Sequence, residues 1–215
     1  DVIVTGDGTA CIATFQSARL RGTQRLFSDS GCAPMGFDLP AAIGACVARG
    51  RERVVCIAGD GSLMLNVQEL QTIRGYALPV KLFVFNNGGY LSMRLTQQAF
   101  FPDNPIGAGP ESGVTFPAFG KLAAGFDLPF VRVAHHADLD ATIRSVLAHD
   151  GPMVCEVVLD QAQPFSPRVS SRRLADGRMV TAPLEDMFPF LPEAELRDNM
   201  LVPLIAHEVA DRQKP

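Results

Sequence analysis

Arg53-Val54-Val55-Cys56-Ile57-Ala58-Gly59-Asp60-Gly61-Ser62 carries an apolar run that stops abruptly at Gly-Asp-Gly-Ser. Nothing polar alternates within the run, as in a strand covered on both faces. The pattern recurs in Pro79-Val80-Lys81-Leu82-Phe83-Val84-Phe85, which ends in Asn86-Asn87-Gly88-Gly89. Between the two, residues 66–75 have helical spacing: Val67, Leu70 and Ile73 share a side, and Gly75 is placed to cap the end. Two fully covered strands joined by a helix are the repeating unit of a parallel sheet.

Working outward, the unit repeats. Val2 to Thr5 predicts a strand running into the turn Gly6-Asp7-Gly8-Thr9 and a helix over 10–20. Residues 28–39 predict a loop, with Pro40 at a helix start and an apolar helix over 41–48. Beyond Gly89 the pattern predicts a helix over 90–99, a Pro/Gly-rich loop over 100–114 and a helix over 116–125. A strand over 130–133, a helix over 138–148 and a strand over 153–159 follow. The expectation is an α/β domain over residues 1–160, a doubly wound parallel sheet with helices on both faces. In such sheets ligands bind beyond the carboxyl ends of the strands. The loops after Thr5, Ala58 and Phe85 are therefore expected to converge. From Asp160 the alternation stops, and residues 161–215 predict an irregular C-terminal arm with one helix from Glu193, packing on a partner domain or subunit.

Composition narrows the function. The 215 residues carry a formal net charge of −4, with no run of Lys or Arg, which gives nucleic acid or a membrane surface no electrostatic purchase. No apolar run approaches a bilayer-spanning length. Cys11, Cys32, Cys46, Cys56 and Cys155 are odd in number and lack C-x-x-C spacing, so they read as reduced, mostly buried thiols and the expected compartment is the cytoplasm. Asp1 opens directly on a strand, which reads as a piece of a longer protein or a subunit of a split enzyme. His135-His136 read as exposed or capping residues.

The chemistry lies at the strand ends. In Gly59-Asp60-Gly61-Ser62 the glycines permit a tight turn, Ser62 and the main chain offer donors to phosphate, and Asp60 offers a hard oxygen suited to Mg²⁺. Asn87 offers an amide oxygen from the next loop. Each motif alone is equally an ordinary turn. Together they place two oxygen ligands on neighbouring loops at one sheet edge, which suits a metal–diphosphate clamp. A dinucleotide fingerprint fits worse, because its third glycine position holds Met64 in one loop and Cys11 in the other.

Gly59-Asp60-Gly61-Ser62 through Asn86-Asn87 resembles the GDG…NN signature of thiamine diphosphate (ThDP) enzymes. Ser30-Gly31-Cys32-Ala33-Pro34-Met35-Gly36-Phe37-Asp38-Leu39-Pro40-Ala41-Ala42-Ile43-Gly44-Ala45 is similar to a segment of acetolactate synthases, as are Asn66 to Thr72 and Leu78 to Lys81. The resemblance covers roughly residues 1–160. It implies ThDP and Mg²⁺ as cofactors, with Asp60, Asn87 and the Gly89 carbonyl as metal ligands. It implies Gly59, Gly61, Ser62, Asn87, Tyr90 and Thr9 as cofactor-binding residues. Met35 would lie under the thiazolium, with the Ala33 carbonyl and the Met35 N–H at the aminopyrimidine.

The implied activity is decarboxylation of a small 2-keto acid followed by C–C bond formation. The alternatives are a split decarboxylase without carboligation and a non-catalytic subunit that keeps the fold. The family's activating glutamate lies on a separate pyrimidine-binding domain, which this chain lacks. No catalytic residue is therefore expected here, and the expected partner is that domain, in a dimer or tetramer of composite units. Three departures bear on the substrate: Thr9-Ala10 stands where Gln-His is frequent, Cys32-Ala33-Pro34 replaces a Gly-rich run, and Asp38 replaces a glycine.

Overall fold

The computed structural model describes residues 1–163, 165–173 and 177–203. They fall into two compact units, Asp1–Gln163 and the described residues after it. The first unit holds six strands: β1 (Val2–Thr5), β2 (Arg25–Phe27), β3 (Val54–Gly59), β4 (Val80–Asn86), β5 (Phe130–Val133) and β6 (Met153–Val158). They form one sheet in the order β2-β1-β3-β4-β6-β5, and every pairing is parallel. The helices are α1 (Thr9–Ser17), α2 (Asp38–Ala48), α3 (Asp60–Met64), α4 (Glu69–Gly75), α5 (Leu91–Phe100), α6 (Phe119–Gly125) and α7 (His136–Ala148).

The sheet is covered from both sides because its central strands are apolar at successive positions. Val4, Val54, Cys56, Ala58, Leu82 and Val84 pack with Leu39 and Cys46 of α2, Leu70 and Ile73 of α4, and Phe119 of α6. On the opposite face Phe83, Val133 and Cys155 pack with Val146 of α7. Part of that second face, including Ile3, Val55 and Ile57, floors an apolar groove of about 480 Å³ beside Leu139 and Ile143 of α7. Lys81 lies in the sheet yet is buried, its ammonium donating to the His149 and Gly151 carbonyls. Burial lowers its pKa.

The doubly wound expectation holds, with several local differences. The edge strand β2 was not predicted: it is three residues long, half-exposed, and pairs only with β1. Asp60–Met64, expected as a turn, is a short helix. The helix expected from Asn66 starts at Glu69, because the Asn66, Val67 and Gln68 carbonyls accept from three residues on instead (Glu69 N–H to Asn66 at 3.0 Å, Leu70 N–H to Val67 at 3.1 Å). The helix expected to reach Leu20 ends at Ser17, where the chain turns extended at Ala18. The strand expected over 130–133 is β5, with those bounds. His135 is the residue before α7 and His136 its first, both exposed as expected, with no side-chain cap.

In the second unit, β7 (Ser171–Arg173) and β8 (Met179–Thr181) pair antiparallel, a hairpin that corrects the reading of an arm without strands. The helix expected from Glu193 is α8 (Glu193–Asn199). Arg168 and Phe188 form a bridge, with the guanidinium 5.4 Å from the ring centroid. Residues beyond 203 lie outside the described residues. Among the described residues no helix is long and apolar enough to cross a membrane.

Candidate functional site

The chain leaves β1 toward β2 on one side and leaves β3 toward β4 on the other. The carboxyl ends of β1 and β3 thus form a switch point, where the diverging loops open a crevice. A cavity of about 190 Å³ lies there, lined by the turn after β1 (Asp7, Gly8, Thr9), by Met35, and by Gly59 to Ser62. Its remaining wall is Asn87, Gly89, Tyr90 and the first turn of α5. The structure therefore brings together Thr9, Met35, Gly59, Asp60, Gly61, Ser62, Asn87, Gly89 and Tyr90. Ala33 is not part of this lining; it sits in the same loop as Met35, half-buried, in left-handed backbone at φ 52°.

Register puts the two ligand candidates side by side. Gly59 pairs with Phe85, so Asp60 and Asn87 emerge from adjacent strand ends. The buried Asp60 carboxylate spans the gap: Oδ1 accepts from Gly61 N–H at 2.7 Å, and Oδ2 from Asn87 N–H at 3.1 Å and Gly89 N–H at 3.0 Å. Burial pushes the Asp60 carboxyl above its ordinary pKa, and these N–H donors oppose the rise.

Glycine is required at two of these positions. Gly89 has φ +145°, and a Cβ there would overlap the Ala108 carbonyl. Gly61 lies under the Tyr90 ring, whose Cδ1 would sit 2.8 Å from an added Cβ. Tyr90 is itself fixed edge-on against Phe116, with centroids 5.9 Å apart.

The second loop is held from behind. Arg132 Nε lies 3.3 Å from Glu156 Oε2, Glu156 Oε1 accepts from Asn86 Nδ2 at 2.6 Å, and Asn86 Oδ1 accepts from Gly88 N–H at 3.1 Å. The buried Arg94 donates to the Asn87 carbonyl at 3.1 Å. Sequence reasoning missed Asp7, Arg94 and Glu156. A lone acid inside the apolar run Met153-Val154-Cys155-Glu156-Val157-Val158 was the available signal for the last.

One atom lacks a partner here: Asn87 Oδ1 is buried and accepts no hydrogen bond. A buried unmatched acceptor costs about 1–3 kcal/mol, so its retention beside a carboxylate suits a cation. Asp7 and Asp60 both line the cavity, which opposes a bare anion and favours an anion bridged by a divalent ion. Among the described residues no three His, Cys, Asp or Glu side chains cluster. A cation here would therefore take one carboxylate, one amide and main-chain oxygen. That set fits Mg²⁺, which takes few protein ligands and fills the rest with phosphate and water. The Gly89 carbonyl accepts from Leu91 N–H at 3.1 Å and keeps a second lone pair for a cation.

The family's sequence profile, described as "Thiamine pyrophosphate enzyme, C-terminal TPP binding domain", matches residues 5–157. The chain belongs to the thiamine pyrophosphate enzyme family. Thiamine pyrophosphate and thiamine diphosphate are one compound, so the match supports ThDP as the cofactor of this domain. Probable acetolactate synthase 2, chloroplastic, of Oryza sativa subsp. japonica is 35% identical over 179 residues, covering 79% of this chain and 26% of that protein. Acetolactate synthase isozyme 2 large subunit of Escherichia coli (strain K12) is 37% identical over 147 residues, covering 68% of this chain and 26% of that protein. The chain thus spans about a quarter of the length of the curated relatives it matches.

Two placements in this family member depart from the expected contacts. The Ser62 hydroxyl is engaged within the protein: it donates to Asp38 Oδ2 at 2.5 Å and accepts from Gly36 N–H at 2.8 Å. Ser62 is left to offer its main chain to the cavity. The Gly61 N–H is taken by Asp60. All five cysteines are free, and Cys46, Cys56 and Cys155 are buried. Burial, with Glu156 beside it, pushes Cys155 up to about 11, so it carries little thiolate at neutral pH.

Proposed function

We propose that this domain supplies the diphosphate- and Mg²⁺-binding half of a ThDP-dependent 2-keto acid decarboxylase and carboligase of the acetolactate synthase type. The observation that carries the reading is the Asp60–Asn87 corner: two oxygen donors from adjacent strands, one of them buried without a partner, facing one cavity. Similarity to acetolactate synthases across two thirds or more of this chain supports it.

In this reading Asp60, Asn87 and the Gly89 carbonyl hold the ion, and the ion holds the diphosphate. The Ser62 main chain and Thr9 border the diphosphate. Tyr90, packed on Gly61 and Phe116, fixes the floor of the site. Met35 projects into the cavity, about 38% exposed in this chain, as the apolar support of the cofactor's ring system. When bound, the cofactor would supply a nucleophilic carbon and, in its cationic ring, a sink for the electron pair left when a 2-keto acid loses CO₂. Among the described residues the cavity holds no glutamate. The activating glutamate comes from a pyrimidine-binding domain elsewhere in the assembly, and the active unit is an oligomer with composite sites.

The test is a product assay on the complete enzyme with ThDP, Mg²⁺, pyruvate and an aldehyde. An acyloin supports carboligation. Free aldehyde with no acyloin supports a decarboxylase instead. No turnover, with no ThDP-dependent rise in melting temperature, contradicts the assignment.

A further inference from the structure

Asp38 is fully buried at the start of α2, in a segment otherwise apolar, where the similar segment of acetolactate synthases has glycine. A buried carboxylate is costly unless hydrogen-bonded. This one is matched on both oxygens: Leu39 N–H reaches Oδ1 at 2.9 Å, and the Ser62 hydroxyl reaches Oδ2 at 2.5 Å. Room for it exists because residue 6, at the end of β1, is glycine; an added Cβ there would lie 2.9 Å from Asp38 Cγ. Ser62 Oγ also accepts from Gly36 N–H, while the Gly36 carbonyl accepts from Asn66 Nδ2 at 2.8 Å. Gly36 is in left-handed backbone at φ +87°, with no space for a side chain against Leu65. It is the residue after Met35. One hydroxyl thus ties the start of α2, the first turn of α3 and the loop carrying Met35, and Asp38 itself packs against Gly6 just after β1.

We propose that Asp38 is a positioning residue for the cofactor: through the Ser62 hydroxyl it fixes the spacing between Met35 and Gly61-Ser62 of α3, two sides of the cavity. The carboxylate does not touch the cofactor. It orients Ser62 so that the serine presents its main chain to the diphosphate while its hydroxyl holds the Met35 loop. Burial raises the Asp38 pKa, and the bonds from Ser62 and Leu39 oppose the rise. The inference rests on the cofactor-site reading above.

The test measures ThDP affinity by calorimetry at saturating Mg²⁺ on the complete enzyme, with melting of the cofactor-free protein as the folding control. Asp38→Gly and Ser62→Ala are each expected to weaken ThDP binding by about tenfold, the usual scale for a residue that orients a ligand. The double variant is expected to be no weaker than the worse single within about twofold, because both remove one link. Asp38→Asn keeps the link with its donor reversed, Nδ2 to Ser62 Oγ, and is expected to bind within about twofold of wild type. Wild-type affinity in Asp38→Gly, additive losses in the double variant, or a tenfold loss in Asp38→Asn would each overturn the proposal. If Asp38→Gly does not fold, Ser62→Ala against Asp38→Asn decides: loss in the first with retention in the second supports it, and any other pairing overturns it. Asp60→Ala separates the two readings. If it abolishes binding while Asp38→Gly leaves binding intact, only the role of Asp38 fails; if Asp60→Ala is also silent, the cofactor site fails with it.

Discussion

Replacing Asn87 by leucine should stabilise the cofactor-free protein and destroy its response to cofactor. Asn87 is 3% exposed and its Oδ1 accepts nothing, so the folded state bears a desolvated acceptor worth about 1–3 kcal/mol. Leucine has nearly the same shape and removes that acceptor, and it also removes the amide donor. The net gain should be about 1–2 kcal/mol, a rise of roughly 2–8 °C in melting temperature for a chain of this size. The Asn87 N–H bond to Asp60 and the Arg94 bond to the Asn87 carbonyl are main-chain contacts and survive. With Mg²⁺ and ThDP at a hundred times Kd, wild type should gain about 2.7 kcal/mol, and Asn87→Leu should gain almost nothing. The assay is thermal melting of both proteins, in chelator and then with cofactor and metal. The reasoning is refuted if Asn87→Leu melts below wild type in chelator, or if both proteins respond equally to cofactor.

Other outcomes follow from the same geometry. Gly61→Ala gains helix propensity but drives Tyr90 against Phe116, an overpacking cost of about 1–3 kcal/mol; ThDP titration should show affinity falling more than stability. Glu156→Gln should leave Asn86 bonded but lose the ionic partner of Arg132, a small effect, whereas Asn86→Ala frees the Gly88 turn and should weaken Mg²⁺ binding by about tenfold; calorimetric titration distinguishes them. Because burial raises the folded pKa of Asp38, the folded protein holds that proton more tightly than the unfolded chain. The resulting stability is fully present below the unfolded carboxylate pKa and is lost as pH rises through the folded one. Asp38→Asn should therefore flatten that decline, read by denaturant melts across pH, and an unchanged pH dependence would count against it.

How much of this was legible depended on how many faces of each segment are buried. β1, β3, β4 and β6 were readable because central parallel strands must be apolar at successive positions, as Val80 to Val84 are apart from Lys81. Arg25-Leu26-Phe27 escaped because it is three residues long and opens on an exposed Arg, whereas the other edge strand, Phe130 to Val133, keeps a run that is apolar apart from Arg132. Ser171-Arg172-Arg173 offered no apolar pattern at all. The helix at Asp60–Met64 was hidden by Gly61, which reads as a turn residue locally but is required under the Tyr90 ring. At the candidate site, the placement of Asp60 and Asn87 at neighbouring strand ends was legible once β3 and β4 were read. That Asp38 would find Ser62, 24 residues away, was not, because that contact follows from the sheet bringing β1, β3 and the Met35 loop to one corner.

The most direct measurement is an anomalous difference map from crystals of the complete enzyme grown with ThDP and Mn²⁺ in place of Mg²⁺. The account predicts a single strong peak at ordinary bonding distance, about 2.1 Å for an Mg²⁺-like ion, from Asp60, Asn87 Oδ1 and the Gly89 carbonyl, with the diphosphate on its open side. A peak elsewhere, or a diphosphate seated with no metal between it and Asp60, would contradict it.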